Sequence, residues 1–357
     1  MIKFFLTIII TTFLLCGCSK ESKCEIINFT SWGSITEVEI INKIIKDFEL
    51  KNPNTKVNFI HTPQNYFQKL HLLFASNTAP DVIFINNLYL PLYYNHLEDL
   101  TNIIDKSKYY GQAIECLSID EKVFAIPRDL SNLVFYVNTD IIPIKKNWTI
   151  EDLLEIAKKY TYNNFYGISF EDDIYFTLPY LSYFGETFNE NFDYKQSQGF
   201  RFYKDLRDKY QVAPTKSQIG SSTLAQMFLD KKIGMYLSGR WMFPIISEKA
   251  NFNWSIIAFP QGLNEQICDS SGWAISKYSK NKDLAIKFIK HLSSEESAEY
   301  FTKSGLIIPA RIEASKVLNN NSHNEKVFLE IIKYSKKAKI PKDYKKIVDK
   351  FNSTAFD

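Results

Sequence analysis

Apolar positions recur with two different periods along the first ninety residues after the N-terminal leader, and the alternation of those periods predicts the elements. Residues 25–30 read as a strand, followed by the loop Ser31-Trp32-Gly33-Ser34. A helix then starts near Thr36, because Val38, Ile41, Ile45 and Phe48 fall on one helical face. Asn52-Pro53-Asn54 stops it, and residues 56–60 form a second strand. Residues 66–76 form a second helix with Phe67, Leu70 and Phe74 inward. A turn at Ala79-Pro80-Asp81 leads to a third apolar strand over 82–85 and the loop Asn86-Asn87-Leu88-Tyr89. This β-α-β-α-β order implies a parallel, doubly wound sheet with right-handed crossovers. Ligands in such sheets bind outside the C-terminal strand ends, which points at Trp32, Asn86, Asn87 and Tyr89.

Two further apolar runs, 123–126 and 133–137, flank a polar middle that contains Pro127, Arg128 and Asp129. Each run suits a buried strand. The middle is too long for a two-residue hairpin. The segment is either one extended stretch leaving one sheet for another, with Arg128 and Asp129 between two lobes, or a loop within one domain. Beyond it, Thr149 and Asp152 have capping-box spacing at the start of a helix. Residues 166–170, 233–237, 254–259 and 270–276 read as strands. Residues 200–210, 223–231, 281–292 and 294–303 read as helices, and 172–188 is aromatic without a clear period. The lysine-rich tail, 327–351, reads as helix broken at Pro341.

Length allows two domains, and 45% hydrophobic with 23% charged residues is a globular balance. A formal net charge of +3 gives no reason to expect a nucleic-acid partner. The abundance of Ile, Asn, Lys, Phe and Tyr reads as codon bias, so aromatic content alone carries no functional weight. Residues 1–17 form a secretory leader, with Lys3 ahead of an apolar core too short to span a membrane. Leu15-Cys16-Gly17-Cys18 resembles a bacterial lipobox, which makes Cys18 the expected lipidated N-terminus and 18–24 a tether. The remaining Cys24, Cys116 and Cys268 show no framework spacing, so no essential disulfide and no metal site are expected.

The ordered motifs now carry a resemblance. Phe48-x-x-x-Asn52-Pro53-x-x-x-Val57, Tyr66-x-x-Lys69-Leu70, Phe74-Ala75-Ser76-x-x-Ala79-Pro80-Asp81-Val82, and Ile126-Pro127 with Tyr136-Val137-Asn138 come first. Trp148-Thr149-x-x-Asp152-Leu153, Gly239-x-Trp241, Gly272-x-Ala274-Ile275, Ala285-x-x-Phe288-Ile289 and Ile308-Pro309-Ala310 follow. Together, from about Ile26 to Lys345, they resemble extracellular solute-binding proteins of the maltose-binding type, which feed ABC importers. The resemblance implies an α/β fold of the periplasmic-binding-protein type II, two doubly wound lobes joined by a multi-crossing hinge. It implies a first lobe of 25–128 plus 268–310 and a second of 132–262 plus 311–357, with crossings at 128–132, 262–268 and 309–312. The family usually continues through more C-terminal helix than follows Phe351, which would leave the second lobe shortened and apolar surface exposed.

The implied function is capture of a saccharide between closing lobes by a non-enzymatic, cofactor-free monomer. The protein would be lipid-anchored outside the cytoplasm and would deliver the sugar to ABC permease subunits. Sugar sites need flat aromatics for C–H faces and planar polar groups for hydroxyls. Trp241 is the main stacking candidate through Gly239-x-Trp241; Trp32 and Trp273 are stacking candidates that could equally be core. Tyr66, Asn87 and Tyr180 are lesser ligand-binding candidates. Arg128 and Asp129 are either hydroxyl ligands or a hinge pair, and Arg240 would suit an acidic sugar. The alternatives are the same fold binding a polyamine, iron or a glycerol phosphodiester, or a secreted glycoside hydrolase using Glu171-Asp172-Asp173. The polar loop positions, mostly Asn, Trp and Arg, disfavour a polycation.

Overall fold

The computed structural model describes residues 24–145, 147–189, 191–260, 266–318 and 322–354. The expected leader, Cys18 and most of the tether lie outside the described residues, as does most of the expected second crossing. Strands β1 (Glu25–Ser31), β2 (Thr55–His61) and β3 (Val82–Asn86) pair in parallel through β1, as the alternating periods predict. Helix α1 (Ile35–Lys51) links the first two. Its start is fixed by a capping box in which the Ser34 hydroxyl accepts the Glu37 N–H and the Glu37 carboxylate accepts the Ser34 N–H. The helix buries Ile41, Ile44, Ile45 and Phe48, each worth about 1.5–3 kcal/mol of burial, so a charge at Ile41 would unseat it. Helix α2 (Tyr66–Ala75) buries Tyr66, Leu70 and Phe74, while Phe67 turns outward to the rim.

After a small hairpin, β4 (Ser118–Ile119) and β5 (Lys122–Val123), the chain enters β6 (Ile126–Ser131) and then β7 (Val134–Asn138). β6 belongs to the first sheet and β7 to the second, so the chain passes between sheets at Asn132 and Leu133. The stretch around Arg128 is therefore strand and not the crossing itself. Its charges sit inside the sheet because they neutralise one another there. The second sheet is β10-β7-β9-β8, adding β8 (Tyr166–Ser169), β9 (Ile233–Ser238) and β10 (Trp254–Ala258). Only β8 and β9 are parallel in it.

Strand β11 (Gln266–Ile275) returns to the centre of the first sheet, antiparallel to β3 and β6, and β12 (Ile308–Pro309) completes the order β12-β6-β11-β3-β1-β2. The first sheet is thus wound in parallel through β1, β2 and β3 and closed by antiparallel returns, whereas the second is antiparallel except between β8 and β9. The third crossing departs from the expected 309–312. Arg311 donates to the Ser293 carbonyl at 3.1 Å and Ile312 donates its N–H to the Lys108 carbonyl, which holds the chain on the first lobe through the turn Glu313–Leu318. The chain rejoins the second lobe at His323, whose ring stacks on Trp254 3.8 Å between centroids, and at Asn324, whose amide donates to the Ile256 carbonyl at 2.9 Å. β13 (Ser335–Lys337) then pairs with the Gln266–Cys268 end of β11, a further return absent from the expected layout. The final helix Tyr344–Thr354 places Tyr344, Ile347 and Phe351 in the second lobe's core.

Candidate functional site

Between the lobes lies a cleft of about 580 Å³, open to solvent at its mouth. That lies within the roughly 300–1,000 Å³ of ordinary small-molecule pockets. The first wall carries Trp32, just past β1, with Phe67 and Tyr89. Trp32 leans on Phe84 at 4.2 Å between centroids and on Tyr66 at 4.9 Å; Phe67 and Tyr89 stack 3.7 Å apart, 8° from parallel. The second wall carries Tyr175, Trp241 and Tyr344, with Asp173 between. Trp241 is 37% exposed. Its motif has a steric cause: a Cβ on Gly239 would collide with the Trp241 ring, so only glycine lets the indole lie flat on the backbone.

The floor is ionic. The Arg128 guanidinium pairs with Asp129 at 2.6 Å and with Glu37 at 3.1 Å, and it lies over Phe84, 4.2 Å from the centroid. Burial holds the Asp129 carboxyl above its usual range despite that partner. Asp269, at the start of β11, accepts from the Tyr175 hydroxyl at 3.2 Å. Burial pushes Asp269 up to about 7, and the nearby Asp129 charge adds to the shift. Asp173 keeps an edge in solvent, but enclosure by the walls raises its carboxyl too. On the second wall Arg240 is buried against Phe243 and Phe328 and ion-paired to Glu325.

Of the residues singled out in the sequence, the structure brings Trp32, Asn86, Tyr89, Arg128, Asp129, Arg240 and Trp241 to the cleft. The other four are corrected. Trp273 is 0% exposed, set among Phe29, Phe84 and Phe301 in the first lobe's core. Tyr180 is equally enclosed, with Phe170, Tyr203 and Phe259 around it. Tyr66 is buried beneath Trp32, its hydroxyl donating to the Thr30 carbonyl at 3.3 Å. Asn87 is a buried tie between loop and strand: its side-chain carbonyl accepts the Ser270 N–H at 2.9 Å. The residues missed are Glu37, Phe67, Asp173, Tyr175, Asp269 and Tyr344. The aromatic stretch 172–188 held Tyr175.

The acidic run Glu171-Asp172-Asp173 does not act as a unit. Glu171 accepts from Tyr236, Asp172 pairs with Arg207, and Asp173 caps a turn by accepting the Tyr175 N–H at 2.8 Å. Among the described residues no cluster of three or more His, Cys, Asp or Glu could hold a metal ion, and no helix is long and apolar enough to cross a membrane.

The sequence model of bacterial extracellular solute-binding proteins matches residues 43–326. The galactooligosaccharide-binding protein of Bacillus subtilis is 24% identical over 316 residues, 82% of this chain and 75% of that protein. The fold is similar to that of the ABC substrate-binding protein Lmo0181 from Listeria monocytogenes, solved in complex with cycloalternan. The TM-score is 0.82 at 24% identity, covering 93% of this chain and 92% of that one. It is also similar to the Thermus thermophilus maltotriose-binding protein bound with maltotriose, at a TM-score of 0.73 and 21% identity, over 92% and 93% of the two chains. At these identities the solved structures speak for the fold.

Proposed function

The chain belongs to the bacterial extracellular solute-binding proteins, and from that premise we propose that it captures an oligosaccharide between its lobes and presents it to the membrane subunits of an ABC importer. The observation that carries this is the composition of the cleft. Flat aromatics stand on both walls, Trp32, Phe67 and Tyr89 facing Tyr175, Trp241 and Tyr344, with carboxylates and guanidinium groups between them. Sugars match that alternation, offering C–H faces to rings and hydroxyls to planar polar groups. The two relatives named for saccharides, and the one solved with cycloalternan, support the class of ligand.

Closure follows from differential affinity, because a ligand touching both walls binds only the closed form fully. A micromolar ligand supplies about 8 kcal/mol, ample to offset a modest cost of closing. On this reading the protein is not an enzyme, acts as a monomer, and is exported through the leader and held at the membrane by a lipidated Cys18. Metabolic labelling with a fatty acid, lost on Cys18→Ser, tests the anchor.

A second reading, a polyamine, is favoured by one observation: Glu37, Asp129, Asp173 and Asp269 outnumber Arg128 and Arg240 in the cleft. The ion pairs and the raised Asp269 remove most of that excess, leaving Asp173, itself raised by enclosure, as the cleft carboxyl without a cation partner among the described residues. Thermal denaturation screened against oligosaccharides, polyamines and ferric ion tests both. A ligand at a hundred times its dissociation constant adds about 2.7 kcal/mol. A rise with one sugar class, lost in Trp241→Ala, is expected. A rise with amines or iron alone, or none at all, sinks the saccharide reading.

A further inference from the structure

Cys116 and Cys268 take no part in the cleft, yet the fold brings them together from 152 positions apart. Cys116 ends the short helix Gly111–Cys116, and Cys268 lies in β11, where Lys337 of β13 pairs beside it. The Cys116 thiol donates to the Cys268 carbonyl at 3.7 Å, which sets the two cysteines side by side where the helix packs on the strand. Both residues are buried, whereas Cys24 is exposed. An odd count with irregular spacing hid this pairing in the sequence.

We propose that Cys116 and Cys268 are a disulfide-forming pair, closed by exchange with a low-molecular-weight disulfide outside the cytoplasm into a covalent staple at the first-lobe end of the return crossing. Members of an extracellular family work where disulfides persist. One protein thiolate attacks the small disulfide, breaking its S–S bond and releasing one small thiolate. The second protein thiolate then attacks the protein sulfur of the mixed disulfide and releases the other. Two protein thiols are oxidised, one small disulfide is reduced to two thiols, and the two thiol protons pass to the leaving groups.

The neighbouring Cys268 side chain and burial push the Cys116 thiol well above its ordinary range, so its thiolate is scarce in the folded protein. Exchange therefore runs while the chain folds, before the helix settles on the strand. The staple would join Gly111–Cys116 of the first lobe to the residue preceding Asp269, fixing one end of the cleft floor.

The test uses the secreted chain carrying Cys24→Ser, refolded from denaturant with oxidised glutathione or with dithiothreitol, alkylated, and mapped by non-reducing peptide mass analysis. We expect one cross-linked pair containing Cys116 and Cys268, abolished by reduction. The oxidised protein should melt roughly 5–10 °C above the reduced form, since the bridge closes a long loop. If Cys116→Ala/Cys268→Ala folds, its melting should match the reduced form; if it does not, the reduced parent is the reference. Natively folded protein with both thiols recovered as separate alkyl or glutathione adducts, or either bonded to another cysteine, overturns the pair.

Discussion

On the first wall of the cleft the charged groups are committed to one another. Arg128 holds Asp129 and Glu37 and lies over Phe84, and Glu37 also caps α1. That wall is built before any ligand arrives. The second wall leaves its large ring open to the cleft: Trp241 is partly exposed and, among the described residues, Asp173 has no cation beside it, while Arg240 is withdrawn onto Glu325. The lesson is a division of labour in which one wall is rigid and the other supplies the groups that meet the ligand. Four measurements can break or sharpen it, taken from the largest expected effect down.

Arg128→Ala should cost about 3–5 kcal/mol in urea denaturation, because it strands the buried Asp129 and the half-buried Glu37 carboxylates. A loss below about 1 kcal/mol would mean the first wall is not held by its ion cluster. The two tryptophans of the glycine-tryptophan motifs should split. Trp273→Ala should lose about 3–5 kcal/mol of stability through the cavity it leaves. Trp241→Ala should change stability by only about 0.5 kcal/mol yet weaken saccharide binding roughly tenfold to a hundredfold, about 1.4–2.8 kcal/mol by titration calorimetry. The reverse pattern would exchange their roles.

The floor between the walls should read out in pH. The folded Asp269 carboxyl stands at about 7, above its unfolded value. Below pH ~4 it is protonated in both states and its contribution is fully present; between ~4 and 7 only the folded form keeps the proton, so stability is lost as pH rises. Between pH 5 and 7 the wild type should lose on the order of 2–3 kcal/mol relative to Asp269→Asn, at about 1.4 kcal/mol per unit. Parallel stability profiles for the two proteins would show that the lobes do not enclose this group. The smallest effect is expected from Tyr175→Phe. It removes the hydroxyl that reaches Asp269 at 3.2 Å and Ser131 at 3.5 Å, at about 0.5–1.5 kcal/mol, and it should raise Asp269 further.

Winding, helix starts and the cleft position of Trp32 were legible because periodicity and capping are local. Trp273 was misread for a non-local reason. β11 shifts register against β6 between Ser271 and Gly272, and such a bulge changes which face a strand residue occupies. Tyr180 could not be told from a cleft residue either, since one ring in an aromatic stretch looks the same on either face of a short helix. Tyr175 sits in a single 3-10 turn with no period to read, and Tyr344 reaches the cleft only because the last helix returns across the second lobe. The third crossing was misplaced because Arg311 is anchored by a carbonyl and a ring from distant segments.

Strand β11 has a consequence for how the molecule is made. It pairs with β3 and β6, yet a chain emerging N-terminus first completes the whole second sheet before β11 exists. Through that interval β3 carries an open edge, a template for pairing with other chains. Its closure is a long-range step, slow by topology. Gly272 stands at that closure, because a Cβ there would strike the Ile126 carbonyl of β6. Substitutions along β11 should therefore lower the yield of soluble protein before they alter what the finished protein binds.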